Sequence, residues 1–166
     1  MAYIYGNVAS RARRGEIYMQ GISAKDSISA KSKDKKFTSA ILSNTLEDII
    51  YLNQLVESGF ELSDIKKNKA IIEIMISHNV MPRKTWENAT RAKNKKLSAQ
   101  NSERVLRVIR ISEMAKTAFG EKVGLEWIER PTKVFGGKAP IEMLTNESGS
   151  RAVELFLGQI VNGFNA

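Results

Sequence analysis

The side chains best suited to chemistry in this sequence are cationic and lie close together. Between Arg83 and Lys96 there are six Lys or Arg residues and a single acid, Glu87, which gives this stretch a net charge of +5. On a helix, with about 100° between successive residues, one face would carry Lys84, Asn88, Arg91 and Lys95. Such groups bind phosphates, and Arg and Asn can also read guanine and adenine edges. The stretch therefore predicts a DNA-contacting helix, with a solvated charged face as the alternative.

The sequence offers few of the groups that enzymes use. It contains no cysteine, which excludes thiolate nucleophiles and cysteine-ligated metals, and its one histidine is His78. Gly136-Gly137-Lys138 resembles the end of a phosphate-binding loop, but Ala139 follows where Ser or Thr is required. We therefore expect no catalytic residues, no metal and no cofactor.

Charge is distributed unevenly along the 166 residues. The formal net charge is +8, from 26 basic and 18 acidic side chains. Residues 61–110 contribute +7 (12 basic, 5 acidic), whereas residues 1–60 contribute +2 and residues 111–166 contribute −1. A basic middle suggests nucleic acid as partner, and a nearly neutral last third suggests a protein. Because the sequence has neither a signal peptide nor a run of about 18–20 apolar residues, we expect a cytoplasmic protein with no membrane contact.

The hydrophobic pattern predicts an all-α fold. From Thr38 onward apolar residues recur at helical spacing, and no segment shows sustained strand-type alternation. We expect helices over about 38–58, 63–78, 82–94, 98–119, 122–129, 140–144 and 146–162. In the first of these helices the predicted inward stripe consists of Ile41, Leu42, Leu46, Ile49, Ile50 and Asn53, and it is widened by Leu52, Leu55 and Val56.

Three parts follow from this pattern. Residues 1–37 are expected to be flexible, because residues 25–36 are polar and rich in Ser and Lys and bury too little surface to offset about 1–2 kcal/mol of backbone entropy per ordered residue. Apolar residues before them could still dock on another surface: they are Tyr3, Ile4, Tyr5, Ile17, Tyr18 and Met19. Residues 38–120 are expected to form a helical DNA-binding region, with a helix-turn-helix at about 63–96 whose second helix is the basic one. Residues 121–166 are expected to form a small helical domain.

The C-terminal part carries an ordered series of motifs. They are Trp127-Ile128, Arg130-Pro131, Phe135-Gly136-Gly137-Lys138-Ala139-Pro140, Leu144, Gly149-Ser150-Arg151-Ala152-Val153, Leu157-Gly158-Gln159-Ile160 and Gly163. In type and order they resemble the toxin-binding domain of the Xre/MbcA/ParS antitoxin family. Residues 97–120 also resemble the linker helix of that family, so the resemblance covers about residues 60–164.

The resemblance implies a type II antitoxin without enzymatic activity. Its implied partner is a RES-domain toxin, an ADP-ribosyltransferase-like enzyme that depletes NAD⁺ and whose active site the antitoxin would occlude; ParT-like toxins are related partners. Operator DNA, repression of the antitoxin's own operon and self-association into dimers or larger assemblies are implied as well. The alternative function is a helix-turn-helix transcriptional regulator that acts without a toxin.

The expected contact residues form two sets. For DNA we expect Arg83, Lys84, Thr85, Asn88, Arg91, Lys95 and Lys96. Family recognition helices often read Arg-Thr-Leu followed by an Arg-Arg pair. Here Trp86 stands in place of the leucine, and Asn88-Ala89-Thr90 fill the stretch before Arg91. The departure favours phosphate binding over base readout. For the toxin we expect Pro131, Phe135, Gly136, Gly137, Lys138, Arg151, Gln159, Asn162, Gly163 and Phe164. Two alternatives stay open: Phe135 and Phe164 can belong to the core, and Arg151 can pair with Glu147 or Glu154.

Overall fold

The computed structural model of this chain describes residues 36–163, apart from the side chain of Lys66. Most of the expected flexible segment, up to residue 35, lies outside the described residues, and so does Phe164 of the expected toxin-contacting set. Contacts between Cα atoms divide the chain into two compact units, Met1–Phe37 and Thr38–Ala166. The expected boundary near residue 120 falls inside the second of these units, where it stays a prediction.

Helices dominate the described residues, and no β-strand occurs among them. They are α1 (36–42), α2 (Leu46–Ser58), α3 (Lys69–Ser77), α4 (Arg83–Arg91), α5 (Ala99–Phe119), α6 (Glu121–Glu129), α7 (Pro140–Met143) and α8 (Glu147–Asn162). Short 3₁₀ turns lie at Lys66–Asn68 and Lys133–Phe135, and an isolated antiparallel bridge joins Glu61 to Lys96. The all-α prediction is confirmed.

Capping residues read from the sequence fix several helix ends. The Ser98 hydroxyl accepts a hydrogen bond from the Asn101 amide at 3.3 Å, which starts α5. The Asn146 side chain accepts one from the Gly149 amide at 2.8 Å, which starts α8. Gly120 then ends α5 with φ 89°, a conformation that glycine adopts at little cost.

The sequence predicts one continuous helix over about 38–58, and this prediction is wrong, because the chain forms two helices there. It breaks at residues 43–45 because side chains there bond to the local backbone: the Thr45 amide donates to the Ser43 hydroxyl at 3.2 Å, and the Thr45 hydroxyl caps α2 by accepting from the Asp48 amide. Short polar side chains that bond to their own backbone compete with helical hydrogen bonds.

The predicted inward stripe of this helix is confirmed at Ile41 and Leu52 but is wrong at Leu42, Leu46, Ile49, Ile50 and Asn53, which are exposed. The side that α2 buries is marked by Leu52, whereas Leu46 is 72% exposed, and Ile49 and Ile50 are each about half exposed. Leu42 of α1 is exposed as well. The break at 43–45 starts a new helix, so the stripe no longer runs along one continuous face.

The second predicted helix begins later than expected. α3 starts at Lys69, because residues 61–68 form turns in which the Asp64 amide donates to the Glu61 carbonyl and the Asn68 amide to the Ile65 carbonyl. The preceding chain is tied to the segment after α4, with the Leu62 amide donating to the Lys95 carbonyl at 2.9 Å. The fourth helix, α4, ends earlier than predicted, at Arg91.

The core is organised around α5, which contacts α2, α3, α6 and α8. Helical spacing predicts an inner face of Val105, Leu106, Val108, Ile109, Ser112 and Ala115 for this helix, and all of these are buried except Leu106, which is half-buried. Where α6 turns back on the end of α5, Gly124 lies so close to the α5 backbone that a Cβ there would be 2.6 Å from the Lys116 nitrogen. A glycine is therefore required for α6 to pack against the end of α5.

Two polar contacts of charged or titratable side chains connect α6 to the rest of the fold. Lys116 of α5 lies 2.9 Å from Glu113 and 3.1 Å from Glu121 at the start of α6. Partial burial lowers the pKa of Lys116, but hydrogen bonds to these two carboxylates outweigh that effect, so its pKa is raised. His78, at the end of α3, places Nε2 3.2 Å from Oε1 of Glu129 at the end of α6.

Among α1–α8, none combines the length and apolar content that a helix needs to cross a bilayer. Within residues 36–163, no three His, Cys, Asp or Glu side chains are grouped as ligands of a metal ion.

Candidate functional site

An aromatic cluster holds the C-terminal elements together. Trp127 of α6 stacks on Phe156 of α8 with 6.0 Å between ring centroids and an interplanar angle of 8°. Phe119 and Phe135 approach the same indole at 5.2 and 6.3 Å. Phe135 also meets Phe156 edge-on at 5.5 Å. Since such pairs add about 0.5–1.5 kcal/mol each to the burial of their area, this cluster fixes α6, α8 and the loop between α6 and α7 relative to one another.

The loop formed by residues 130–139 is closed by its own backbone. The Thr132 amide donates to the Lys138 carbonyl at 3.0 Å, and the Gly137 amide donates to the Thr132 carbonyl at 2.9 Å. Gly136 and Gly137 have φ values of 66° and 83°, in the region that favours glycine. Phe135 is only 9% exposed and anchors the loop from below. A small, ordered surface results, with its glycines and Lys138 facing outward.

The corner between α7 and α8 is equally constrained. Gly149 lies so close to the Met143 carbonyl that a Cβ would collide with it. Before α7, the Ala139 amide donates to Oε2 of Glu142 at 3.2 Å. Ile141 and Leu144 are buried. The start of α8 therefore has one position against the preceding turn.

Two arginines of α5 hold α8 in place through its carboxylates. Arg107 contacts Glu147 at 3.3 Å, besides Glu103 at 2.6 Å, and Arg110 lies 3.7 Å from Glu154. Arg107 is largely buried, with 14% of its side chain exposed, but Glu147 is 82% exposed, so only the cation of this pair is shielded from solvent. The carboxylates that were possible partners of Arg151 are therefore both engaged by α5.

The exposed side of α8 presents a narrow stripe. At about 100° per residue, the residues that share this side are Arg151, Leu155, Gln159 and Asn162, all of them exposed. Leu155, at 58% exposure, is the apolar residue at the middle of the stripe. Arg151 forms no ion pair with any residue between 36 and 163, which leaves its guanidinium available for a partner.

The residues expected to contact a toxin differ in their exposure to solvent. Pro131, Gly136, Gly137, Lys138, Arg151, Gln159, Asn162 and Gly163 are exposed, and Phe135 is buried in the aromatic cluster. Sequence reasoning missed two exposed apolar residues between them, Val134 at 61% and Leu155 at 58% exposure. The i, i+4 spacing of Leu155 from Arg151 is the signal that could have revealed the second.

The basic stretch also lies where a partner can reach it. α3, a turn closed by Asn79 with φ 55°, and α4 follow one another, and Pro82 precedes α4 with no side-chain cap on its first amides. Arg83, Lys84 and Asn88 are exposed along α4, and Thr85 is half-buried. Exposed cations at an uncapped helix N-terminus suit anionic oxygens.

The other expected DNA contacts differ in availability. Arg91 lies 3.4 Å from Glu87 one turn earlier, at the exposed surface. Lys96 is half-buried, lies 3.8 Å from Glu61, and belongs to the bridge that ties the chain before α3 to the chain after α4. Lys95 is exposed with φ 47°. Of the set, Lys96 is thus the one with the most evident structural role.

The packed helices α5, α6 and α8 hold the loop formed by residues 130–139 in one conformation, so this part of the protein presents a preformed surface. Residues 114–163 match the family model described as the antitoxin Xre/MbcA/ParS C-terminal toxin-binding domain. The chain is also 31% identical over 112 residues to "Antitoxin Xre" from Pseudomonas putida KT2440, a match that covers 66% of this chain and 70% of that protein.

Together these findings define an antitoxin, a regulatory protein that binds a toxin and is not an enzyme. The chain belongs to the Xre/MbcA/ParS antitoxin family. The resemblance seen in the motifs between Trp127 and Gly163 is thereby confirmed, and the partner it implies is a toxin.

Proposed function

We propose that this antitoxin neutralises a RES-domain, ADP-ribosyltransferase-like toxin by covering its active-site cleft. The covering surface would consist of the loop formed by residues 130–139 and the exposed stripe of α8. The observation that carries the proposal is the stripe itself, where the unpaired Arg151 adjoins the exposed Leu155 within the segment that matches a toxin-binding domain.

Preorganisation supports this role. Binding costs free energy for every side chain and loop that must be ordered at the interface. Here the loop is already closed by its backbone hydrogen bonds, and α8 is fixed by Arg107 and the aromatic cluster. Inhibition needs no chemistry from the antitoxin, only a surface that excludes the nucleotide, and both proteins would meet in the cytoplasm.

Co-expression with the product of the adjacent gene tests the proposal. We expect the antitoxin to restore growth, to preserve cellular NAD⁺ and to co-purify with the toxin. A toxin that stops growth without lowering NAD⁺ would contradict the RES assignment and leave the antitoxin assignment intact. A toxin that still depletes NAD⁺ in the presence of this chain would contradict occlusion.

Operon repression through the helix-turn-helix at about 63–96 is the second part of the proposed function. The exposed cations of α4 support it, because each phosphate contact releases counterions and makes binding depend on salt. We expect Lys84→Ala to reduce the slope of log affinity against log salt by about 1. Fluorescence anisotropy with promoter DNA at several salt concentrations measures this slope.

Lys96→Ala serves as the matched control for that measurement. Since the Lys96 ammonium is paired with Glu61, we expect Lys96→Ala to change the slope less than Lys84→Ala does. Equal slopes for all three proteins would argue against phosphate binding by α4. Repression by a chain that binds no toxin would instead favour the toxin-independent regulator.

Self-association completes the proposed function, and the exposed apolar residues of α1 and α2 provide the surface for it. Leu42, Leu46, Ile49 and Ile50 are between 46% and 72% exposed, and contiguous apolar patches on soluble proteins mark contact surfaces. A second copy meeting this patch through its own would bury both, as two-fold interfaces do.

Ile49→Asp is therefore expected to convert the dimer into a monomer. The substitution would place two carboxylates in an apolar interface, where unpaired charges are costly. Sedimentation equilibrium gives the mass of each protein. Val123→Asp on α6, at a position with similar exposure (54%), should leave the dimer intact. If Ile49→Asp remains dimeric, the copies must meet elsewhere.

A further inference from the structure

A groove of about 670 Å³ lies between α3 and α4, and neither the toxin-binding surface nor a phosphate contact accounts for it. Most of its surface is apolar and comes from Ile72 and Ile76 of α3, Trp86 of α4, and Leu62 and Ile65 of the turns before α3, whereas its other lining residues are polar or charged. The volume falls within the range of about 300–1,000 Å³ that is typical of small-ligand sites, which are likewise lined mainly by apolar and aromatic side chains.

The charged residues at the mouth of the groove leave an excess of positive charge. Glu61 and Glu73 both line it, but Glu61 is paired with Lys96 at 3.8 Å and Glu73 with Lys69 at 3.6 Å. Arg83 and Lys95 line it too, and neither has an ion-pair partner among the residues that the structure describes. Arg83 begins α4 and Lys95 follows its end, so cations flank the apolar floor along the helix.

We propose that this groove binds a small amphipathic carboxylate, with an aromatic or aliphatic body on Trp86 and Ile76 and its carboxylate on Arg83. The flat guanidinium of arginine can donate two parallel hydrogen bonds to a carboxylate. An apolar body is required because phosphate or another bare anion would leave the indole and isoleucine side chains uncovered. The free cation and the apolar surface together therefore select amphipathic carboxylates.

Occupation of the groove would also regulate the helix that forms its wall. Arg83 is one of the expected DNA contacts, so a carboxylate bound to it withdraws a cation from the phosphate backbone. The ligand should therefore weaken operator binding. This consequence rests on the proposed DNA-binding function, whereas binding in the groove does not.

Trp86 allows binding to be followed directly. The chain has two tryptophans, so Trp127→Phe leaves Trp86 as the sole indole. We expect 4-phenylbutyrate to change its fluorescence in a saturable manner. The neutral 4-phenylbutyramide should bind about tenfold more weakly, as expected for the loss of a hydrogen-bonded charge. Arg83→Gln should lower the affinity for the acid to that for the amide.

Two further variants locate the site. Lys93→Gln makes the same change of charge at an exposed residue that does not line the groove, and it should bind the acid as the parent protein does. Ile76→Glu removes apolar surface that the body of either compound would contact and adds no second indole, so it should weaken binding of both compounds. Equal affinity for acid and amide, or binding that Ile76→Glu leaves unchanged, would overturn the proposal.

The remaining outcomes separate this proposal from the others. Saturating 4-phenylbutyrate should reduce affinity for promoter DNA by about tenfold, and Arg83→Gln should remove that effect. Fluorescence binding without any change in DNA affinity would overturn the regulatory consequence alone. Binding that is seen only when Ile49→Asp has separated the copies would show that a second copy fills the groove, which would overturn the proposal.

Discussion

Replacing Leu155 with aspartate is expected to abolish protection of cells that produce the cognate toxin. Leu155 is the apolar residue at the middle of the α8 stripe, between Arg151 and Gln159, and central apolar contacts dominate the energy of many interfaces. A carboxylate there would have to be desolvated against the toxin surface. We expect an affinity loss of at least about thirtyfold, corresponding to the usual threshold of a hot spot. Growth of co-expressing cells and calorimetric titration measure it.

Val123→Asp is the control for that experiment. It makes the same kind of change at 54% exposure on α6, outside the stripe, and should still protect. Both variants should retain the unfolding midpoint of the parent chain, because neither side chain is buried. Full protection by Leu155→Asp would place the toxin contact on another part of residues 121–166.

Trp127→Ala is expected to have the largest effect on stability. It removes the ring that stacks on Phe156 and contacts Phe119 and Phe135, and it leaves a cavity where three helices and a loop meet. Trp127 is half-buried, so its truncation is expected to cost up to about 3 kcal/mol of the free energy of unfolding, the lower end of the range for fully buried rings. Urea denaturation followed by circular dichroism provides the measurement.

Trp127→Phe distinguishes loss of packing from other causes. It keeps an aromatic ring in the cluster and should lose less than half as much stability as Trp127→Ala. If the alanine variant unfolds at the same urea concentration as the parent chain, the aromatic cluster does not stabilise the loop and α8, and the preorganisation argued for the toxin-binding surface would fail.

Local signals account for the part of the fold that could be predicted from the sequence. Helix starts at Ser98 and Asn146, and the stop at Gly120, depend on side-chain hydrogen bonds and backbone conformations that act within a few residues. The buried face of α5 follows from a period that any amphipathic helix shows. These elements hardly depend on what lies far away in the sequence.

The errors have equally specific causes. The stripe through Leu46 and Ile49 has helical spacing, but spacing cannot tell a face that packs on the core from one that awaits another surface. Likewise, α3 begins late because the chain before it is bonded to residues near Lys95, more than thirty positions away. Contacts between residues far apart in the sequence decide where such a helix begins, and hydrophobic periodicity does not reveal them.

The candidate site shows the same division. Motifs located the loop formed by residues 130–139 and the last helix, but the alternatives for Arg151 were decided by Arg107 and Arg110, which engage Glu147 and Glu154 from a different helix. Phe135 is buried because the rings of Trp127 and Phe156 meet above it in space. Neither outcome follows from the residues adjacent in sequence.

The length and position of α5 bear on how this antitoxin is removed from the cell. Its 21 residues contribute to the packing of both halves: Ser102 near one end accepts a hydrogen bond from the Phe60 amide, and Ala115 near the other lies against Gly124. Unfolding at one end of α5 is therefore expected to loosen the packing at the other. If the proposed operon repression holds, we expect a protease that unfolds α5 to end toxin binding and repression together.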